Sequence, residues 1–204
     1  PSPDQMIAAS EKVEGGAGIL FIVKNYSGDI MNFQMASEMM TGVSETVLIN
    51  DDVAVEDSSY TTGRRGVAAT VIVEKIVGSL AETGGSLKEC KILGDKVNRN
   101  SGSMGVAFSS CTVPAAGKPT FKLGSDEMEF GVGIHGEPGR RRDKVQPAQE
   151  ITNELLGAII EDLKLENNGE ILLFVNGMGG TPLTELYLLY DNAKKTLDNK
   201  NIKI

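Results

Sequence analysis

GILFIVKNYSGD, residues 18–29, decides the fold. Its first half, GILFIV, is a continuous apolar run of strand length, which fits a strand buried on both faces, as in a parallel sheet. Its second half turns polar and leads into a helical pattern from about residue 30 to residue 40, with Phe33, Ala36 and Met40 on one side. A buried strand handing over to a helix is the building unit of an α/β fold. Asp29 is the natural N-cap of that helix. Lys24 and Asp29 therefore lie at the strand-to-helix junction, the usual ligand edge of an open α/β sheet. Two readings stay open: a capping carboxylate with a surface lysine, or a carboxylate that accepts a hydroxyl proton beside a cationic donor.

The same alternation continues on both sides. Ser2 caps a first helix over residues 3–13 with Pro3 in its first position. Residues 44–49 form the next strand, closed by Asn50, Asp51 and Asp52, and a long polar loop runs to Arg65. Helices are predicted over residues 66–81 and 86–98, the second with Cys90, Leu93 and Val97 spaced for burial. A strand at 106–111 precedes a rigid connector rich in proline, glycine and alanine. Later come a strand at 128–134, a helix at 147–163, a buried-type strand at 170–175 and a glycine-rich turn at 176–180. A last helix has Thr181 as cap and Pro182 as first residue, and residues 202–204 begin a strand. The predicted fold class is α/β: two- or three-layer sheets with flanking helices in two subdomains, both incomplete. The domains are residues 1–122 and 123–204, with the break near residues 117–126. The missing initiator methionine and the cut-off terminal strand point to a piece of a longer product.

Composition narrows the function classes. Apolar residues make up 40% of the 204, charged residues 24%, and the formal net charge is −8. Such a chain, without a long basic run, is a poor binder of nucleic acid or anionic membranes. It has no apolar stretch of membrane-spanning length and no secretion signal at its start. Cys90 and Cys111 have no metal-ligand spacing and read as buried thiols of a reducing compartment, so a cytoplasmic location is expected. The chain contains no Walker A motif, no dinucleotide fingerprint in strand–helix context, and no GxSxG element. Asp51 with Asp52, and Asp126 with Glu127, read as solvated turn residues rather than magnesium ligands. No cofactor or metal is expected on this chain.

The second informative stretch is EFGVGIHGEPGRRR, residues 129–142. A short β-prone run ends on His135, the only histidine, and turns at once through Gly-Glu-Pro-Gly into three arginines. Such a histidine is either a boundary residue at a tight turn or a reactive group held over a cleft by a rigid sheet. The arginines either form a solvated turn or hold a carboxylate or phosphate.

FIVKNYSGDIMNF (21–33), DDVAVEDSSYTTGRRGVAAT (51–70), CTVPAAGKPTF (111–121), EMEFGVGIHGEPG (127–139) and VNGMGGTPLTELY (175–187) together resemble the substrate-binding subunit of the dihydroxyacetone (glycerone) kinase family. The resemblance implies that His135 binds the ketone covalently, its uncharged ring nitrogen adding to C2 of dihydroxyacetone as a hemiaminal. That bond selects the ketone over glycerol, which has no carbonyl, and fixes a terminal hydroxyl for phosphoryl transfer. It implies Asp29 as general base or hydroxyl orienter and Lys24 as a hydrogen-bond donor to the substrate. It also implies a homodimer and a separate all-helical partner carrying ADP and magnesium, recharged by a phosphotransferase-system protein, or ATP on a fused helical domain. Arg140, Arg141 and Arg142 would suit a phosphorylated partner by charge. The chain departs from the family in lacking an upstream segment with a second substrate-contacting histidine, which implies that this stretch is inactive by itself. A rival reading that shares the histidine motif is a non-catalytic paralogue that binds dihydroxyacetone and works as coactivator of a transcription regulator; a third is an α/β domain with an unrelated ligand.

Overall fold

The computed structural model describes residues 1–56, 61, 63–112 and 114–204. Contacts divide it into two units, Pro1–Ser103 and Met104–Ile204.

In the first unit, Ser2 accepts the amide of Gln5 and the Gln5 side chain returns to the Ser2 amide, a capping box that starts α1 (Pro3–Val13). The apolar run becomes β1 (Ile19–Lys24) and pairs in parallel with β2 (Ser44–Ile49), Lys24 opposite Ile49. Both faces of β1 are covered, as the unbroken apolar run requires. Ile19, Phe21 and Val23 pack against Ile30 and Phe33 of α2 (Ser27–Met39), with Phe21 and Phe33 meeting edge to face at 5.3 Å. Leu20 and Ile22 pack on the opposite side with Val47, Ile49, Val73, Val77 and Cys90, the last three supplied by α3 (Ala69–Glu82) and α4 (Leu87–Arg99). The result is a parallel strand pair between two helical layers.

The second unit is built differently. β3 (Val106–Ala107), β4 (Glu127–Phe130) and β5 (Arg141–Lys144) form an antiparallel sheet in that order. Met128 and Phe130 pack with Ile151 of α5 (Ala148–Leu163). The other side of α5 meets α6 (Leu183–Asp198) around Leu156, Ala193, Leu197 and Ile202. No described helix is long and apolar enough to cross a membrane.

Several sequence expectations change here. The division falls after Ser103, because Val106 and Ala107 pair with Phe130 and Glu129 and so belong to the second sheet. β5 is a run of charges, legible only through its pairing with β4. The expected strand at 170–175 makes a single bridge, Glu170 with Lys203, and Ile171 donates to the Lys203 carbonyl. Ile171 and Leu173 still join the core of α5 and α6, while Leu172 and Phe174 face outward. The period of two survives, but only one face is covered. Cys90 is buried as expected, whereas Cys111 is exposed.

Candidate functional site

Lys24 closes β1 and Asp29 lies in the first turn of α2, so both belong to the carboxyl end of one strand. Asp29 is not the cap. α2 begins two residues earlier, at Ser27, with Tyr26 in the cap position and no side-chain cap bond. An aspartate inside the first turn is still favoured by the amide end of the helix, and its carboxylate is not consumed as a cap. Lys24 and Asp29 are both half-buried.

The loop after β2 is anchored against this edge by buried charge. Asp51 is 1% exposed and accepts the amides of Val67 and Ala69, at 2.7 and 3.0 Å, where α3 begins. Asp52 takes the Arg65 guanidinium through Nε at 2.8 Å and Nη2 at 2.7 Å, and accepts the Ala54 amide. Arg65 is fully buried. Burial pushes the Asp52 carboxyl above its ordinary value of 3.8, against the pull of the Ala54 amide and of Arg65. Asn25 donates to the Arg64 carbonyl at 2.7 Å. Gly66 passes so close that a Cβ there would lie 2.3 Å from the Ile49 carbonyl oxygen and 2.9 Å from the Lys24 Cα. Only glycine fits, and the loop is thereby pinned beside Lys24. The expectation that Asp51 and Asp52 are solvated turn residues is corrected: they are the loop's buried anchors. No group of three or more potential metal-ligating side chains occurs among the described residues.

In the second unit, β4 stops at Phe130, so His135 does not end a strand as the sequence suggested. It stands within a loop, residues 131–140, that joins β4 to β5. The loop is closed at its base by Arg140 donating to the Phe130 carbonyl at 2.8 Å, and higher up by Gly133 donating to the Glu137 carbonyl at 3.0 Å. Glu129, buried, accepts Gly139 N–H at 2.9 Å and Arg142 Nη2 at 3.1 Å. A Cβ on Gly139 would fall 1.9 Å from the Phe130 carbonyl oxygen, so the returning strand can pass only as glycine. On this loop the His135 side chain is 57% exposed, and its Nδ1 lies 3.1 Å from Oε1 of Glu137, whose side chain is 1% exposed. The other Glu137 oxygen accepts the His135 amide at 2.9 Å.

The arginines are engaged locally. Arg141 grips both oxygens of Glu154 at 2.8 Å and lies over the Phe130 ring, and Arg142 pairs with Glu129. Lys24 and Asp29 share the β1 edge of the first unit, and His135 belongs to the second. Sequence reasoning missed Asn25, Arg65 and Glu137. For Glu137 the signal was a carboxylate two residues from the only histidine inside a glycine-flanked turn.

Comparison with known proteins agrees with this architecture. Residues 1–204 match the Dak1 domain. The chain is 46% identical over 207 residues to the dihydroxyacetone-binding subunit DhaK of PTS-dependent dihydroxyacetone kinase 1 from Listeria innocua, covering 100% of this chain and 63% of that protein. It is 48% identical to the corresponding Lactococcus lactis subunit, covering 100% of this chain and 62% of that protein. Among solved structures, the dihydroxyacetone kinase operon co-activator Dha-DhaQ superposes with a TM-score of 0.89 at 30% identity, over 100% of this chain and 64% of that one. The C. freundii dihydroxyacetone kinase, native form, gives 0.86 at 31% identity, over 99% of this chain and 37% of that one. The chain belongs to the Dak1 family. It spans a little under two thirds of the length of the two curated subunits, 63% and 62%.

Proposed function

We propose that this chain captures dihydroxyacetone for phosphorylation at a terminal hydroxyl, giving dihydroxyacetone phosphate. Nε2 of His135 attacks C2. The N–C bond forms as the carbonyl π pair moves onto oxygen, which then takes a proton to complete the hemiaminal. Lys24 donates a hydrogen bond to the substrate. Asp29 orients the hydroxyl to be phosphorylated and receives its proton as phosphoryl transfer proceeds. The phosphoryl group comes from a separate helical subunit that carries ADP and magnesium, and the capturing subunit works as a homodimer. The observation that carries the reading is the exposed imidazole of His135, held by a buried carboxylate at the tip of a braced loop.

A second reading is supported by the likeness to the Dha-DhaQ co-activator: ketone capture without turnover, coupled to a regulator of transcription. A coupled assay of the full-length protein with the helical partner and a phosphate donor separates the two. Sustained product that vanishes with Asp29→Asn supports the kinase. Ketone binding with no turnover supports the co-activator.

A further inference from the structure

We propose that Glu137 is a positioning residue for ketone capture, holding the imidazole of His135 with its proton on Nδ1 so that Nε2 presents its lone pair to the carbonyl carbon. The role rests on the reading of His135 as the nucleophile.

Glu137 is almost fully buried, and a carboxylate leaves water only at a large cost unless its oxygens find donors. Both donors come from one residue: Oε2 accepts the His135 amide at 2.9 Å, and Oε1 lies 3.1 Å from His135 Nδ1. An ionised carboxylate only accepts, so the ring nitrogen facing it must donate. The neutral imidazole then carries its one proton on Nδ1 and its lone pair on Nε2. A carboxylate serving only to brace the turn would need the amide alone. The second oxygen reaches a side chain that is 57% exposed, on the ring of the chain's single histidine.

The brace is rigid where it has to be. Gly133 donates to the Glu137 carbonyl and Gly136 to the Gly133 carbonyl, closing the turn that contains His135. Glu129 fixes the following residues through Gly139. The ring is thus held at Nδ1 by a buried carboxylate, while the His135 side chain as a whole is more than half exposed.

The chemistry needs this arrangement twice. Before addition, the wrong tautomer would place N–H where the lone pair must be. After addition, Nε2 carries a new bond to carbon and the ring is a cation. Glu137 compensates that charge or takes the Nδ1 proton, the carbinol oxygen gains one proton from solvent, and Glu137 can return one, so the capture is balanced and reversible.

The test uses the ¹⁵N-labelled protein and Glu137→Gln. In long-range ¹H–¹⁵N spectra the His135 signals, assigned by their loss in His135→Ala, are expected to show Nδ1 protonated and Nε2 pyridine-like. Glutamine keeps the shape, but its oxygen can serve only one of the two donors, and its amide nitrogen donates to the ring. The variant should shift towards the Nε2–H tautomer. Its affinity for ¹³C-labelled dihydroxyacetone, followed as the tetrahedral C2 resonance of the adduct, should fall on the order of 10- to 100-fold. A wild-type ring protonated on Nε2 overturns the proposal even if the variant does not fold. So does a variant that forms the adduct with unchanged affinity. Absence of any adduct in the wild type, with the Nδ1 tautomer intact, overturns the capture reading itself and with it the role of Glu137.

Discussion

The loop after β2 and the loop between β4 and β5 both place a charged group in the interior, and they use it differently. In the first, Asp52 pairs with Arg65, Asp51 and Asp52 accept backbone amides, and all three residues are buried. Their charge holds a loop against the end of β1. In the second, Glu137 is as deeply buried, but its partner ring is more than half exposed. One buried charge is spent on architecture; the other fixes a group that faces solvent. A perturbed or buried carboxylate alone therefore does not mark a site, and what its partner can reach decides.

The sharpest way to break the contrast is Arg65→Met. It leaves Asp52 buried without its cation and should cost about 3–5 kcal/mol in chemical denaturation. A loss below about 1 kcal/mol, the scale of an exposed pair, would mean that the anchor is not buried charge.

Gly139→Ala comes next, since its Cβ would collide with the Phe130 carbonyl oxygen. We expect about 3 kcal/mol of destabilisation together with loss of the ketone adduct. An alanine variant of wild-type stability would show that the loop between β4 and β5 is not tightly braced.

Asp51→Ala removes the acceptor for two amides at the start of α3 and should cost about 1–2 kcal/mol.

Asp52 adds a dependence on pH. Burial raises its folded pKa above 3.8, so the folded state binds the proton more tightly than the unfolded state. Its contribution to stability therefore falls as pH rises from about 3.8 through the folded value. The stability gap between wild type and Asp52→Asn should shrink over that window. A gap that widens with pH would mean that Arg65 outweighs burial.

The smallest effect belongs to Lys144→Ala, which breaks an exposed pair with Asp126 and should leave the denaturation midpoint unchanged within error.

Legibility in the sequence followed physical range. β1, β2 and the helices carry their own period, and Ser2 announces its cap, so these elements could be read locally, although α6 begins at Leu183 with Pro182, not Thr181, in the cap position. The strand–helix junction with Lys24 and Asp29 followed from the same periodicity, although α2 starts earlier than Asp29 because Ser27 and Gly28 already adopt helical geometry. β5 could not be read, because RRDK becomes a strand only opposite Glu127–Phe130. The pairing of Asp52 with Arg65 spans 13 residues and a polar loop, and nothing local distinguishes it from a solvated turn. His135 was visible as a singular residue. Its carboxylate partner was two positions away, but burial, which gives that partner its meaning, is a tertiary property.

The central claim is that His135 forms a bond to a three-carbon ketone. The direct measurement is the ¹³C spectrum of the protein with C2-labelled dihydroxyacetone, compared with His135→Ala. A protein-bound tetrahedral carbon, distinct from the free hydrate and lost in the variant, is the predicted result. A ketone that keeps its carbonyl resonance when bound, or a tetrahedral signal that survives in His135→Ala, would contradict it.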